Sequence, residues 1–213
     1  MASFIGTDYI YRSRITILDI LEQRGYNTTP YRKFSPKEID AFIANYASLN
    51  MVLPHSTDDN RHCIVNYLTT RIMKQKIPIF FEDILEKMGV EEDNRSQYEA
   101  VFLLQEPVGD THHLAAITEW NTRKRRISFF YIPQIVLNPL KHSLVPPHIR
   151  VVEEEHAQLM KDIHITSKSQ LPIIRFHIDP IARCIGLVPG DIVKIIRPSP
   201  SAGTYTVYRY CTA

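Results

Sequence analysis

The chain has 213 residues, 44% of them hydrophobic and 23% charged, a balance that belongs to a folded globular protein and excludes disordered and fibrous classes. Its 25 Lys and Arg against 23 Asp and Glu leave a net charge of only +2. Bulk electrostatics therefore do not make it a nucleic-acid binder, and any DNA contact must be local. The length accommodates one large domain or two small ones.

The three cysteines, Cys63, Cys184 and Cys211, are far apart and form no CxxC pair. This argues against a zinc ribbon or a disulfide scaffold and for a reducing, intracellular setting, in which the sequons at Asn27 and Asn94 have no use. The opening "MASFIGTDYIYRSR" reaches charge before any apolar stretch of signal-peptide length, and no later segment approaches a membrane span, so no membrane partner is expected.

In "DYIYRSRITILDILEQRG", Ile10, Ile17 and Leu21 share a helical face beside Tyr11, Ile15 and Leu18, and Gly25 follows as a stop. "SPKE" announces a second helix, with Ser35 as N-cap, Pro36 at the first position and Glu38 completing a capping box. Ile39, Phe42, Ile43 and Tyr46 then follow at helical spacing. From "CIVNYL" (63–68) to "RRISFFYIPQIVLN", short β-branched and aromatic runs alternate with helical stretches, which reads as an α/β layer with Pro133 at a strand end. Prolines 139, 146 and 147 in "NPLKHSLVPPH" interrupt helix and strand alike, placing a domain boundary between residues 1–142 and 143–213.

Beyond that break, "EEEHAQLMKDI" reads as a helix with its glutamates at the positive end of the dipole. "LPIIRFHI" (171–178) reads as a strand, with Ile174, Phe176 and Ile178 alternating against Ile173, Arg175 and His177. Asp179 caps a short helix begun by Pro180 and ended by Gly186, "VPGD" supplies a type II turn, and "DIVKII" and "TYTVYRY" form a hairpin through "RPSPSAG". On the last strand Tyr205, Val207 and Arg209 share one face, and Thr206, Tyr208 and Tyr210 the other.

"DPIARCIGLVPGDIVKIIRPSPSAGTYTVYRY", with "LVPPH" and "QLP" upstream, resembles the C-terminal assembly domain of the fifth-largest subunit shared by eukaryotic RNA polymerases, and with it the archaeal counterpart of that subunit. The family text runs close to D-P-V-A-R-x-x-G, V-x-K-I-I-R-P-S and A-G-x-Y-x-x-Y-R. The likeness is strong from about residue 144 onward and weak before it. The helix ending in "RGY" and "FFYIPQIVLNPLKHSLVPPH" resemble the family's N-terminal jaw, which the archaeal counterpart lacks. Residues 49–124 diverge from cellular versions, more in the manner of copies carried by large cytoplasmic DNA viruses.

The resemblance implies an α/β (α+β) fold, with a nuclease-like jaw at 1–142 and a small mixed-sheet assembly domain at 143–213. It implies a non-catalytic subunit that docks on the largest polymerase subunit, among other polymerase subunits, while the jaw projects toward downstream DNA. Docking would fall to Asp179, Pro180, Arg183, Gly186, Lys194, Arg197, Pro198, Gly203, Tyr205, Tyr208 and Arg209. The setting would be the nucleus for a cellular version, and the host cytoplasm and virion for a viral one. A free-standing transcription-linked adaptor is the alternative.

Chemistry beyond this is weakly supported. A nuclease needs a carboxylate with Lys two residues on along a strand, and no Asp or Glu here has one. The nine histidines make no HxH or HxxxH pair, "EEEH" reads better as a solvated first turn than as a metal cluster, and phosphate-loop, nucleotide-fold and hydrolase glycine motifs are missing. No cofactor, metal or small-molecule ligand is expected. "RKRR", comprising Arg123, Lys124, Arg125 and Arg126, either meets DNA phosphates from the jaw or is a solvated turn or targeting signal.

Overall fold

In the computed structural model, which describes residues 6–44, 49–68 and 77–213, the first amphipathic pattern forms helix α1, Thr7–Gln23. Ile10, Ile17, Leu18, Ile20 and Leu21 line its buried face. Ile15, expected on that face, is 38% exposed, and Arg14 is buried instead, with Nη1 donating to Leu49 O at 2.7 Å. The helix stops because Gly25 takes φ +93°, and a Cβ there would meet His55 Nε2 at 2.6 Å. Helix α2, Pro36–Ala44, starts on the expected capping box: Ser35 N donates to Glu38 Oε2 at 2.6 Å, and Glu38 N to Ser35 Oγ at 3.3 Å. Tyr46 and the Ile43 side chain lie outside the described set.

A four-stranded sheet follows in chain order. It is built from β1 (Met51–Pro54), β2 (His62–Leu68), β3 (Tyr98–Leu104) and β4 (Ile127–Tyr131). β1 runs antiparallel to β2, whereas β2, β3 and β4 are mutually parallel. Parallel neighbours need crossovers, which helix α3 (Ile77–Lys87) and helix α4 (Asp110–Arg123) provide. β3 is covered on both faces, so "AVFLL" reads as an unbroken apolar run instead of alternating. Pro133 sits in the 3₁₀ turn Ile132–Ile135, directly past β4. These elements belong to one compact unit, Met1–Asn138.

The second unit, Pro139–Ala213, has a mixed sheet of order β5-β7-β8-β6. Its strands are β5 (His148–Val151), β6 (Ile173–Arg175), β7 (Ile192–Ser199) and β8 (Gly203–Thr212), with helix α5 (His156–Asp162) after β5 and helix α6 (Pro180–Ile185) after β6. β7 pairs antiparallel with both β5 and β8, and β6 pairs parallel with β8. Val151, Leu171 and Ile192 form a core on which Leu159, Ile163, Ile165, Tyr208 and Tyr210 pack. The unit begins before the expected boundary after residue 142, because the turn Pro139–Lys141 packs against α6.

β6 is shorter than the alternation of 171–178 suggests. His177 takes φ +59°, Ile178 N donates to Phe176 O at 2.7 Å, and this tight turn buries His177 while leaving Ile178 exposed. Among the described residues, no helix is long and apolar enough to cross a membrane.

Candidate functional site

The basic run does not present four charges. Arg123 ends α4 half-exposed and pairs with Glu119 at 2.9 Å. Lys124 turns the chain with φ 56°, its Nζ 5.7 Å from the Trp120 ring centre. That left-handed step directs Arg125 inward to 2% exposure. There Arg125 Nε donates to Glu119 Oε1 at 2.7 Å, Nη2 reaches Glu82, and the guanidinium lies 4.9 Å from the Phe81 ring centre. Arg126 is held by buried Glu99, which also accepts from Arg24 Nη1 at 3.0 Å. Burial, followed by the like charge of Arg24, pulls the Arg126 guanidinium down to about 9, still protonated at neutral pH. Arg125 and Arg126 are committed inward to carboxylates, and Arg123 and Lys124 remain outward.

Glu82 ties this network together, meeting Arg125, Arg95 at 2.9 Å and Arg123 at 3.6 Å. Burial pushes its carboxyl up, but the hydrogen bond and charge of Arg125, helped by Arg123 and Arg95, hold it below its ordinary range. The adjoining cleft, about 390 Å³, is lined by Arg95, Arg123 and Arg125 against Glu82 and Glu92, with Ser96. Its charges nearly balance, so it has little pull on an anion. Among the described residues, no group of three or more His, Cys, Asp or Glu is placed to hold a metal ion.

In the second unit, the residues singled out in the sequence separate into builders and presenters. Asp179 Oδ1 accepts from Ile181 N at 2.8 Å and Ala182 N at 2.9 Å, Pro180 fills the first helical position, and Gly186 closes α6 at φ 71°. Arg183 and Gly186 are buried within the unit, and Tyr208 packs on the core. Gly190, at φ +106°, makes the turn into β7, and Asp191 braces it by accepting from Val188 N at 2.8 Å and Arg150 Nη2 at 2.9 Å. Gly203 pairs with Ser199 at φ +72° and closes the hairpin. Outward lie Arg197, Pro198 and Tyr205, the last 60% exposed, with Lys194 and Arg209 partly covered. Sequence reasoning missed Ile149, about half-exposed on the edge strand β5, because a four-residue strand carries no readable alternation, whereas Ile173, equally exposed on the edge strand β6, lies opposite the buried Ile174 as the alternation of that stretch has it.

Residues 137–211 match the family model described as RNA polymerase Rpb5, C-terminal domain. The chain is 30% identical over 206 residues to the DNA-directed RNA polymerases I, II, and III subunit rpabc1 of Dictyostelium discoideum, covering 93% of this chain and 94% of the relative. It is 42% identical over 86 residues to subunit RPABC1 of Caenorhabditis elegans, 40% of each chain. It is also 44% identical over 77 residues to the DNA-directed RNA polymerase subunit Rpo5 of Sulfurisphaera tokodaii, 36% of this chain and 89% of that one. The near full-length match shows that the chain belongs to the Rpb5 family, the fifth-subunit family of DNA-directed RNA polymerases, whose members are non-catalytic.

Proposed function

We propose that the chain serves transcription as a structural subunit of a multisubunit DNA-directed RNA polymerase, with the unit Pro139–Ala213 docking on the largest subunit and the unit Met1–Asn138 acting as a jaw beside downstream DNA. The observation that carries the reading is the match over 137–211, which spans almost the whole second unit, including its outward Arg197, Pro198 and Tyr205. Partners are polymerase subunits, and the nucleotidyl transfer belongs to them. The setting is wherever that polymerase transcribes. In the jaw, the DNA-facing role narrows to Arg123 and Lys124, since Arg125 and Arg126 spend their donors on Glu82, Glu119 and Glu99.

The test is affinity purification of the full chain from its source cells. Stoichiometric recovery of the largest polymerase subunit is expected, and recovery of the chain free of large polymerase subunits would instead favour an adaptor. For the jaw, Arg123→Ala with Lys124→Ala in the assembled polymerase should reduce the salt dependence of DNA affinity by under roughly one log unit of slope per lost phosphate contact. An unchanged slope would remove these residues from the DNA.

A further inference from the structure

β7 and β8 outrun their neighbours. β5 pairs with β7 only from Ile192 to Ile195, with Pro147 O accepting from Ile196 N, and β6 pairs with β8 only from Tyr210 onward. Past those points the hairpin continues as a two-stranded ribbon through Arg197↔Tyr205, Pro198↔Thr204 and Ser199↔Gly203. Residues 203–206 are exposed. Such a ribbon is only marginally stable in water by itself, and one that displays a tyrosine at 60% exposure gains from being covered.

Charge selects what covers it. From residue 192 to the end there is no Asp or Glu, whereas Lys194, Arg197 and Arg209 are cationic. The nearby acids lie toward the opposite end of the sheet. Glu153–Glu155 follow β5 past Val151, the partner of Ile192, and Asp191 precedes β7 and is already bonded to Arg150. Strand alternation puts Arg197, Tyr205, Val207 and Arg209 on the face opposite Tyr208 and Tyr210; Val193 and Ile195 on that same face are buried, so it lies open at its ribbon end, around Arg197 and Tyr205, with Arg209 partly covered. Arg209 Nη1 donates to Ile173 O at 2.9 Å, which fixes the guanidinium and leaves donors to spare.

We infer that this face binds an acidic, extended segment of a partner protein, with carboxylates on the Arg197 and Arg209 guanidinium groups and an apolar side chain over Tyr205. A protein is favoured over nucleic acid because two guanidinium groups around one exposed tyrosine supply few phosphate contacts, while Arg and Tyr are residues that dominate protein interfaces. The inference rests on the docking reading only for which partner carries the segment.

The test uses the full chain and defined probes: a Glu-rich peptide carrying one Phe, its Lys-for-Glu counterpart, and a single-stranded DNA of matching length. Calorimetric titration should show binding of the acidic peptide alone, weakened by salt. Arg197→Glu should lose it by roughly tenfold or more, and Lys161→Glu, exposed on α5 away from the ribbon, should stay within about twofold of wild type. Equal binding by Arg197→Glu, or equal or tighter binding of the basic peptide or the DNA, would overturn the inference. A second arm measures capture of the largest polymerase subunit. Capture by wild type and Arg197→Glu alike removes the ribbon face while leaving docking intact. No capture by wild type, with acidic-peptide binding retained, removes the docking reading and leaves the ribbon face standing.

Discussion

Arg125 keeps a charge at 2% exposure because Glu119 and Glu82 meet it from α4 and α3. Removing Glu119 would leave the buried cation with Glu82 from α3, and since breaking a buried pair from one side costs up to about 3–5 kcal/mol, the loss should approach that range, whereas replacing both members with apolar groups is often near neutral. Glu119→Ala should therefore destabilise the first unit by that order, and Arg125→Met with Glu119→Leu should recover most of the loss. Urea denaturation of the full chain reads this directly, since Trp120, the only tryptophan, lies beside Glu119 on α4. A Glu119→Ala midpoint matching wild type would contradict the buried pair.

Glu82 adds a pH signature. Its folded carboxyl sits below the ordinary range, so its contribution is fully present above the unfolded value near 4.5 and is lost as pH falls through the folded one. The stability gap between wild type and Glu82→Gln should be constant at neutral pH and shrink in acid below about 4. A gap that widened in acid would mean the carboxyl is not held ionised by Arg125.

Burial pushes the thiols of Cys63 and Cys211 up to about 12, so both should resist alkylation in the native chain and react only on unfolding.

At the scale of elements, local punctuation proved readable where one side chain meets one backbone group. Asp179, Pro180 and Gly186 delimit α6, and Ser35 with Glu38 starts α2, because caps and left-handed stops depend on nearest neighbours. What the sequence concealed was direction in space. "RKRR" is four like charges in a row, yet one left-handed residue, Lys124, separates an outward arginine from two inward ones, which meet Glu119 on the preceding helix and the distant Glu82 and Glu99 on α3 and β3. "LPIIRFHI" alternates like a longer strand, but a tight turn at His177 ends it. β1, four residues long, had no period to detect. The caps carry their own prediction. Asp179→Ala should cost about 1 kcal/mol through two lost acceptor contacts, and Gly186→Ala a similar amount through its positive φ. Gly25→Ala should cost more than either, because its φ strain is joined by the approach to His55. Urea midpoints ranking Gly25→Ala as the mildest of the three would refute this account of the α1 stop.

For the whole molecule, the decisive question is whether the two units are separable in folding and in binding. Contacts divide the chain at Asn138 and Pro139, and the second unit has its own core on Val151, Leu171 and Ile192 with a four-stranded sheet around it. An alignment of 77 residues covers 89% of the archaeal relative, so natural members of this family exist at about the size of this unit. Small domains are marginal because they bury a modest fraction of their surface. Even so, the capped α6, the braced turn at Gly190 and the closed hairpin at Gly203 give residues 139–213 consistent local structure at each junction. The fragment 139–213 should therefore unfold cooperatively in urea and capture the largest polymerase subunit, while 1–138 should fold yet capture none. Gly203→Ala in the fragment should lower stability by about 1 kcal/mol, whereas Arg197→Ala, on the exposed ribbon, should leave stability unchanged and weaken capture. That divergence between stability and binding separates a residue that builds the unit from one that faces a partner. Capture by 1–138 alone would move the docking role to the first unit, and a fragment 139–213 without a cooperative transition would mean that its core is completed by the rest of the chain.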